Sequence, residues 1–149
     1  MEYYGLLMGA GIGIIVVAVL ILIAWYVLSS LAHMKALKAL GYDKAWLAWI
    51  PYGVFYACAD AVTGQDEKVN LFGSLEIPAM VFKLWWIVPV AFLLLPLNST
   101  IENLITLVLN VVFLGCTYAK MYARLENKQE NETQAIGCVS GFIQIIAVV

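Results

Sequence analysis

Charged side chains are scarce in this sequence, where eight Lys and Arg and ten Asp and Glu make up 12% of 149 residues. Soluble domains carry about 25% charged residues. The scarcity of charge, with 64% hydrophobic residues and a mean hydropathy of +0.91, excludes an ordinary soluble domain. A net charge of −2 without a basic cluster also argues against a nucleic-acid partner.

Cysteine and histidine are too few and too scattered for a metal centre. The three cysteines, Cys58, Cys116 and Cys138, form no CxxC pair, and an odd number gives no disulfide framework. Each lies within an apolar run and is expected to pack as a small buried hydrophobe. His33 is the single histidine, and we expect it at the membrane interface. No metal and no cofactor are therefore predicted.

Catalytic motifs are missing as well. The sequence contains no GxSxG, no HExxH and no glycine-rich phosphate loop. No run carries the paired acidic residues that an intramembrane protease would use. We therefore predict no catalytic residues and a protein that is not an enzyme, although absent motifs do not exclude one.

Long apolar runs dominate what is present. A membrane-crossing helix needs about 20 apolar residues, and the runs predict an all-α fold in one membrane-embedded domain. We expect an integral membrane helical bundle of about four membrane helices plus one proline-broken interfacial or re-entrant helix. The first run is not interpreted as a cleavable signal, because no basic segment precedes it. The predicted helices cover approximately residues 4–32, 45–62, 77–97, 101–125 and 135–149.

Two of these runs differ from ordinary spans. Run 45–62 is short, Pro51 disfavours helix at the preceding residue, and Trp46, Trp49 and Tyr52 are typical of a membrane–water interface. Run 135–149 reaches only about 22 Å, against a hydrocarbon core of about 30 Å. It is a half-span, a short span packed within protein, or a chain cut short of its natural end.

The distribution of lysine and arginine predicts the topology. If the second run does not cross, segments 33–44, 63–76 and 120–134 all face the cytoplasm and contain seven of the eight basic residues. The eighth, Lys83, can extend to the same side. We therefore predict a multi-pass protein of the cytoplasmic membrane with its N-terminus outside and its charged loops inside.

Glycines in the first run form a helix-packing pattern. Gly5, Gly9 and Gly13 recur at four-residue spacing and share one helix face. Small residues in register let another helix approach closely in a membrane. The pattern predicts either an interface between subunits or packing within the chain, and Gly137 and Gly141 repeat it weakly.

Three polar residues within apolar runs are candidates for lining a polar path or channel: Asp60, Lys83 and Asn110. An ionisable group at membrane depth is a functional hypothesis. The alternatives are that Asp60 reaches headgroups, that Lys83 extends to the interface or pairs with Asp60, and that Asn110 hydrogen-bonds between helices.

The stretch KALKALGYDKAWLAWIPYGVFYACAD, residues 35–60, resembles a family of small bacterial multi-spanning membrane proteins. That family has a Gly…Trp…Ile-Pro box after the first span. The box corresponds here to Gly41, Trp46, Trp49, Ile50 and Pro51, and segments 85–89 and 119–120 resemble a second family element. Gly53–Val54 and the acidic insertion 64–76 depart from the pattern. The resemblance implies the bacterial inner membrane and brings neither function nor site residues.

The function predicted is a non-enzymatic scaffold, accessory or oligomerising subunit that acts through helix packing in the lipid bilayer. Its partners would be further copies of itself or other membrane proteins. An oligomeric channel for ions or small solutes is the first alternative. The second is a lipid-binding protein or membrane enzyme that uses the aromatic second run.

Overall fold

A computed structural model describes residues 2–92, 94–95 and 99–143, with side-chain surroundings from Gly11 onward. The chain is mostly helical, which confirms the all-α prediction. The predicted residues 144–149 of the last helix lie outside the described residues. Seven α-helices occupy the described part of the chain: α1 (Glu2–Ala39), α2 (Gly53–Thr63), α3 (Ala79–Leu84), α4 (Ile87–Phe92), α5 (Ser99–Leu109), α6 (Gly115–Glu126) and α7 (Glu130–Phe142).

Helix α1 has two parts with different surroundings. Its 38 residues extend about 57 Å at 1.5 Å per residue. Residues 11–28 are apolar and largely exposed, whereas Ser30, His33 and Leu37 are buried against the rest of the chain. Among residues 11–39, for which side-chain surroundings are described, the buried side chains lie in the C-terminal third of the helix.

The second run is divided, as expected for a run that contains Pro51. A 3₁₀ helix (Ala45–Trp49) precedes an extended Ile50, and α2 begins at Gly53. Tyr52 has a left-handed backbone with φ of 63°, which is rare for a bulky residue. A Cβ at Gly53 would lie 2.9 Å from that of Ile50, so the tight turn requires glycine there.

A β-hairpin interrupts the helices at a place where only a polar stretch was expected. Strand β1 (Lys68–Leu71) pairs antiparallel with β2 (Leu75–Pro78). Phe72 and Gly73 both have positive φ in the three-residue loop between the strands, where Ser74 N donates to Leu71 O at 3.2 Å. The side chains of Val69 and Leu71 are buried beneath the hairpin.

The third run contains two short helices rather than one long helix over 77–97. Helix α3 ends at Leu84, Trp85 and Trp86 form a turn, and α4 follows. Pro89 lies in the first turn of α4, where its missing N–H removes no helical bond. The break places the Trp85 indole beside Phe55 of α2 and Phe113 of the fourth run.

The fourth run is one continuous helical segment from α5 to α6 with a π-helical turn at Asn110–Leu114 between them. Single π turns within α-helices are often found at functional sites. From Leu114 onward, this segment packs into a core with α1, α2 and α3. The largest buried side chains there include Leu37, Phe82 and Leu114.

Two helices of the described residues are long and apolar enough to cross a membrane, by length and composition. They are Gly11–Ala39 and Ser99–Glu126. The other two expected spans correspond to shorter helices, α3 with α4 and α7, so a bundle of four crossing helices is not confirmed.

Helix α7 turns back along α6 and packs against it through glycine. Asn127 ends α6 in the left-handed conformation, and Thr133 Oγ1 donates to Ala119 O at 2.8 Å. A Cβ at Gly137 would lie 2.5 Å from Gly115 O and 2.6 Å from Ala119 N. The weaker of the two glycine patterns thus serves packing within the chain.

We predict that Gly137→Ala destabilises the protein by about 1–3 kcal/mol, because the added methyl group forces two backbones apart. Thermal unfolding in mild detergent measures the effect as a lower melting temperature. Gly11→Ala is the matched control, since a Cβ at Gly11 meets nothing within 4 Å. Equal melting temperatures for the two variants would contradict the packing described for α6 and α7.

Candidate functional site

Asp60 is the centre of a charged cluster formed by three separate parts of the chain. Lys83 Nζ, from the end of α3, lies 2.6 Å from Asp60 Oδ1. The Tyr42 hydroxyl, from the loop after α1, donates to Asp60 Oδ2 at 2.8 Å. Lys83 Nζ also lies 3.4 Å from Gly64 O. Of the alternatives for Lys83, the structure shows the pairing with Asp60.

This cluster is arranged as a closed ion pair. The side chains of Lys83 and Asp60 are 14% and 23% exposed, and both carboxylate oxygens have a hydrogen-bond or ion-pair partner. The pKa of Tyr42 is raised mainly by burial. The hydrogen bond to Asp60 and the negative charge of Asp60 raise it further. Tyr42 consequently remains a neutral hydrogen-bond donor near pH 7. The cluster is therefore suited to holding three parts of the chain together rather than to carrying protons.

Asn110 does not join this cluster. It lines a cavity of about 200 Å³ between the second, third and fourth runs. We call this cavity the tryptophan pocket; its other lining residues are aromatic or uncharged: Tyr52, Phe55, Trp85, Trp86, Pro89 and Thr106. The three predicted channel-lining residues thus belong to two different places.

His33 is buried within the protein, and its position at the membrane interface stays a prediction. Its Nε2 lies 2.8 Å from the Tyr118 hydroxyl, and its Nδ1 lies 2.7 Å from Ser29 O. A carbonyl only accepts, so Nδ1 carries the proton and Nε2 accepts from Tyr118. With its proton on Nδ1, the ring cannot act as a base on the Ser29 hydroxyl 3.5 Å from the same nitrogen. The hydrogen bond between His33 and Tyr118 joins α1 to α6.

A cavity of about 350 Å³ lies next to His33, between α1 and the Pro51 turn, and Ser30 and Ile50 line it. The Tyr26 hydroxyl donates to Trp49 O across this region. Of the predicted interfacial aromatics, Trp46 is 59% exposed, while Tyr52 stacks on Trp86 with ring centroids 6.1 Å apart.

A polar cleft of about 220 Å³ lies among α2, β1 and α6. Arg124 donates to Ala61 O at 3.0 Å and to Val62 O at 2.6 Å, which satisfies carbonyls at the C-terminal end of α2. Lys120 pairs with Glu130 at 2.7 Å. Arg124 and Lys120 are therefore both engaged within the protein.

In residues 11–92, 94–95 and 99–143, no three His, Cys, Asp or Glu side chains come close enough together to hold a metal ion. Gly13 and Gly11 meet nothing within 4 Å at the Cβ position, so the α1 glycine face is open at Gly13. The surroundings of Gly5 and Gly9 lie outside the described residues.

Sequence comparisons with family models and curated proteins, and a structural comparison with solved proteins, found no match to this chain. The resemblance of the Gly…Trp…Ile-Pro box therefore stays a prediction. Any function must be argued from the geometry of the chain itself.

Asp60, Lys83 and Asn110 were predicted from the sequence. The contact between His33 and Tyr118 was not, and neither was the pocket lined by Trp85 and Trp86. His33 and Tyr118 are 85 positions apart in the chain, and no sequence pattern predicts their pairing. For the tryptophans, a signal was present in their position between Lys83 and Pro89, where a helix is interrupted.

We predict that Asp60→Asn and Lys83→Met each destabilise the protein by about 2–3 kcal/mol, since each leaves its partner charged and largely buried. The double variant should lose clearly less than the sum of the two single losses. Thermal unfolding in detergent measures all four proteins. Strictly additive losses would contradict the ion pair.

Proposed function

We propose that the chain is a small, non-enzymatic membrane protein that acts as a scaffold or accessory subunit and associates through α1. The observation that carries this proposal is the outer part of α1. Its 18 residues from position 11 to 28 extend about 27 Å, are apolar, and remain exposed in the folded chain. Water would disfavour so large an apolar surface, whereas a bilayer about 30 Å thick matches its length.

The position of the charged segments supports an orientation with the N-terminus outside. Segments 33–44 and 120–134 both contact the C-terminal end of α2, through Tyr42 with Asp60 and Arg124 with Val62, and segment 63–76 continues from that end. They carry seven of the eight Lys and Arg residues. A cytoplasmic location for this end satisfies the positive-inside rule.

The remaining apolar surface fits the same orientation. Helices α4 and α5 carry further exposed apolar side chains, among them Ile87, Val88, Ile101 and Leu104. In the multi-pass arrangement proposed here, a bilayer would cover these side chains together with the outer part of α1.

The proposed association is between copies of this chain. Gly13 presents an open backbone surface, and Gly9 and Gly5 continue its face at helical spacing. Two identical faces of this kind are self-complementary, and close backbone approach supplies the packing that drives helix association in lipid. No other part of the described chain covers this surface.

A channel has less support from the geometry. Asp60 and Lys83 neutralise each other instead of facing a path, and Asn110 lies among aromatic side chains. For the lipid-binding alternative, the tryptophan pocket offers a specific location.

We predict that Gly13→Leu lowers the dimer association constant at least ~10-fold, about 1.4 kcal/mol, because the branched side chain separates the helices. Gly11→Leu is the matched control: the same substitution, two residues away and on the other side of the helix. Native mass spectrometry in mild detergent measures dimer and monomer. A wild-type protein that is strictly monomeric, or equal effects of both variants, would overturn self-association through this face.

A further inference from the structure

Two buried indole N–H groups distinguish the tryptophan pocket from the rest of the molecule. Trp85 Nε1 and Trp86 Nε1 are buried and have no hydrogen-bond partner among the residues that the structure describes. Buried indole N–H groups ordinarily find an acceptor, and leaving one unpaired costs about 1–3 kcal/mol. Two adjacent unpaired donors therefore indicate a place where an acceptor is expected.

Further unused polar groups line the same pocket. The side chains of Thr106 and Asn110 lie one helical turn apart on α5 and the π turn and make no hydrogen bond to other described residues. Under the proposed orientation, Asn110 lies about 16 Å along the helix from Ser99, within the hydrocarbon core. Water is not available there to satisfy these groups.

The local backbone is also specialised around this pocket. Tyr52 adopts a left-handed conformation and stacks on Trp86, and the π turn begins at Asn110. Strained backbone and π turns both cluster at functional sites. These features come from separate parts of the chain and meet at one cavity.

The lining restricts the chemistry of a ligand. Indole nitrogens only donate, so the ligand must carry an acceptor oxygen. No charged side chain lines the pocket, so the ligand is neutral at this point, and the aromatic walls fit an apolar or planar body. A cavity of about 150 Å³ holds a benzene ring, so about 200 Å³ holds one ring or the ester segment of a lipid.

We propose that the pocket formed by Tyr52, Phe55, Trp85, Trp86, Thr106 and Asn110 binds a lipid-soluble molecule through a carbonyl oxygen. In the unliganded structure the two indole N–H groups are buried, so on binding the indoles of Trp85 and Trp86 turn to donate to this oxygen, and the Asn110 amide supplies a further donor. A quinone ring and the ester group of a glycerolipid share this chemistry. The expectation that the ligand comes from the bilayer rests on the proposed membrane location, but binding itself does not require α1 to associate.

Fluorine NMR of the full chain labelled with 5-fluorotryptophan, in mild detergent, tests the proposal. The five tryptophans are assigned by single Trp→Phe substitutions. The first probe is tetramethyl-1,4-benzoquinone, whose ring has no free position for thiol addition. The second is a short-chain diester glycerolipid, compared with the diether lipid of the same headgroup and chain length.

We expect at least one carbonyl probe to shift the Trp85 and Trp86 signals saturably, while Trp25 and Trp46 stay unchanged and the diether has no effect. A shift with only the quinone or only the diester identifies the source. Asn110→Leu should weaken binding about tenfold, and Trp46→Phe, at an exposed position, should leave it unchanged.

Three outcomes would overturn the proposal. They are no saturable shift with either carbonyl probe, a parallel shift of all five signals, and equal effects of diether and diester without any quinone response. Unchanged affinity in a folded Asn110→Leu protein would remove Asn110 from the site. If that variant does not fold, Thr106→Val, at a half-buried position, replaces it with the same expectation of weaker binding.

Discussion

The carboxylate of Asp60 joins three parts of the chain that are far apart in sequence. It accepts from Tyr42 after α1 and pairs with Lys83 at the end of α3, while Asp60 itself belongs to α2. A largely buried ion pair persists only when both charges remain satisfied. The contacts of Asp60 thereby hold the C-terminal end of α1 and the start of the third run against the second run. The position of the tryptophan pocket depends on this arrangement.

Glycine serves two purposes in this molecule. At Gly137 and Gly141 it lets α7 contact α6 backbone to backbone, so the surface of those residues is used within the chain. At Gly11 and Gly13 nothing approaches, and the surrounding α1 surface is apolar and exposed. The same residue type thus closes one helix pair and leaves another helix face available to a partner.

Hydropathy and proline positions predicted most of the helical organisation. They located the runs, the break at Pro51 and the continuous fourth run, because these depend on local composition. The β-hairpin was not predicted, since strands of four residues give too short a pattern. Contacts such as His33 with Tyr118, and the pocket around Trp85 and Trp86, depend on long-range packing, for which a single sequence carries no periodic signal.

The central claim is that α1 crosses the membrane with the charged end of the molecule inside, and side-specific cysteine labelling tests it most directly. Single cysteines are introduced by Gln65→Cys, Lys128→Cys and Ser99→Cys, at exposed positions, after Cys58, Cys116 and Cys138 are replaced by alanine. In intact cells, a membrane-impermeant maleimide should label only Ser99→Cys, and permeabilisation should expose the other two. Labelling of Gln65→Cys or Lys128→Cys from outside would contradict the orientation, and recovery of the protein in the soluble fraction would contradict the membrane location.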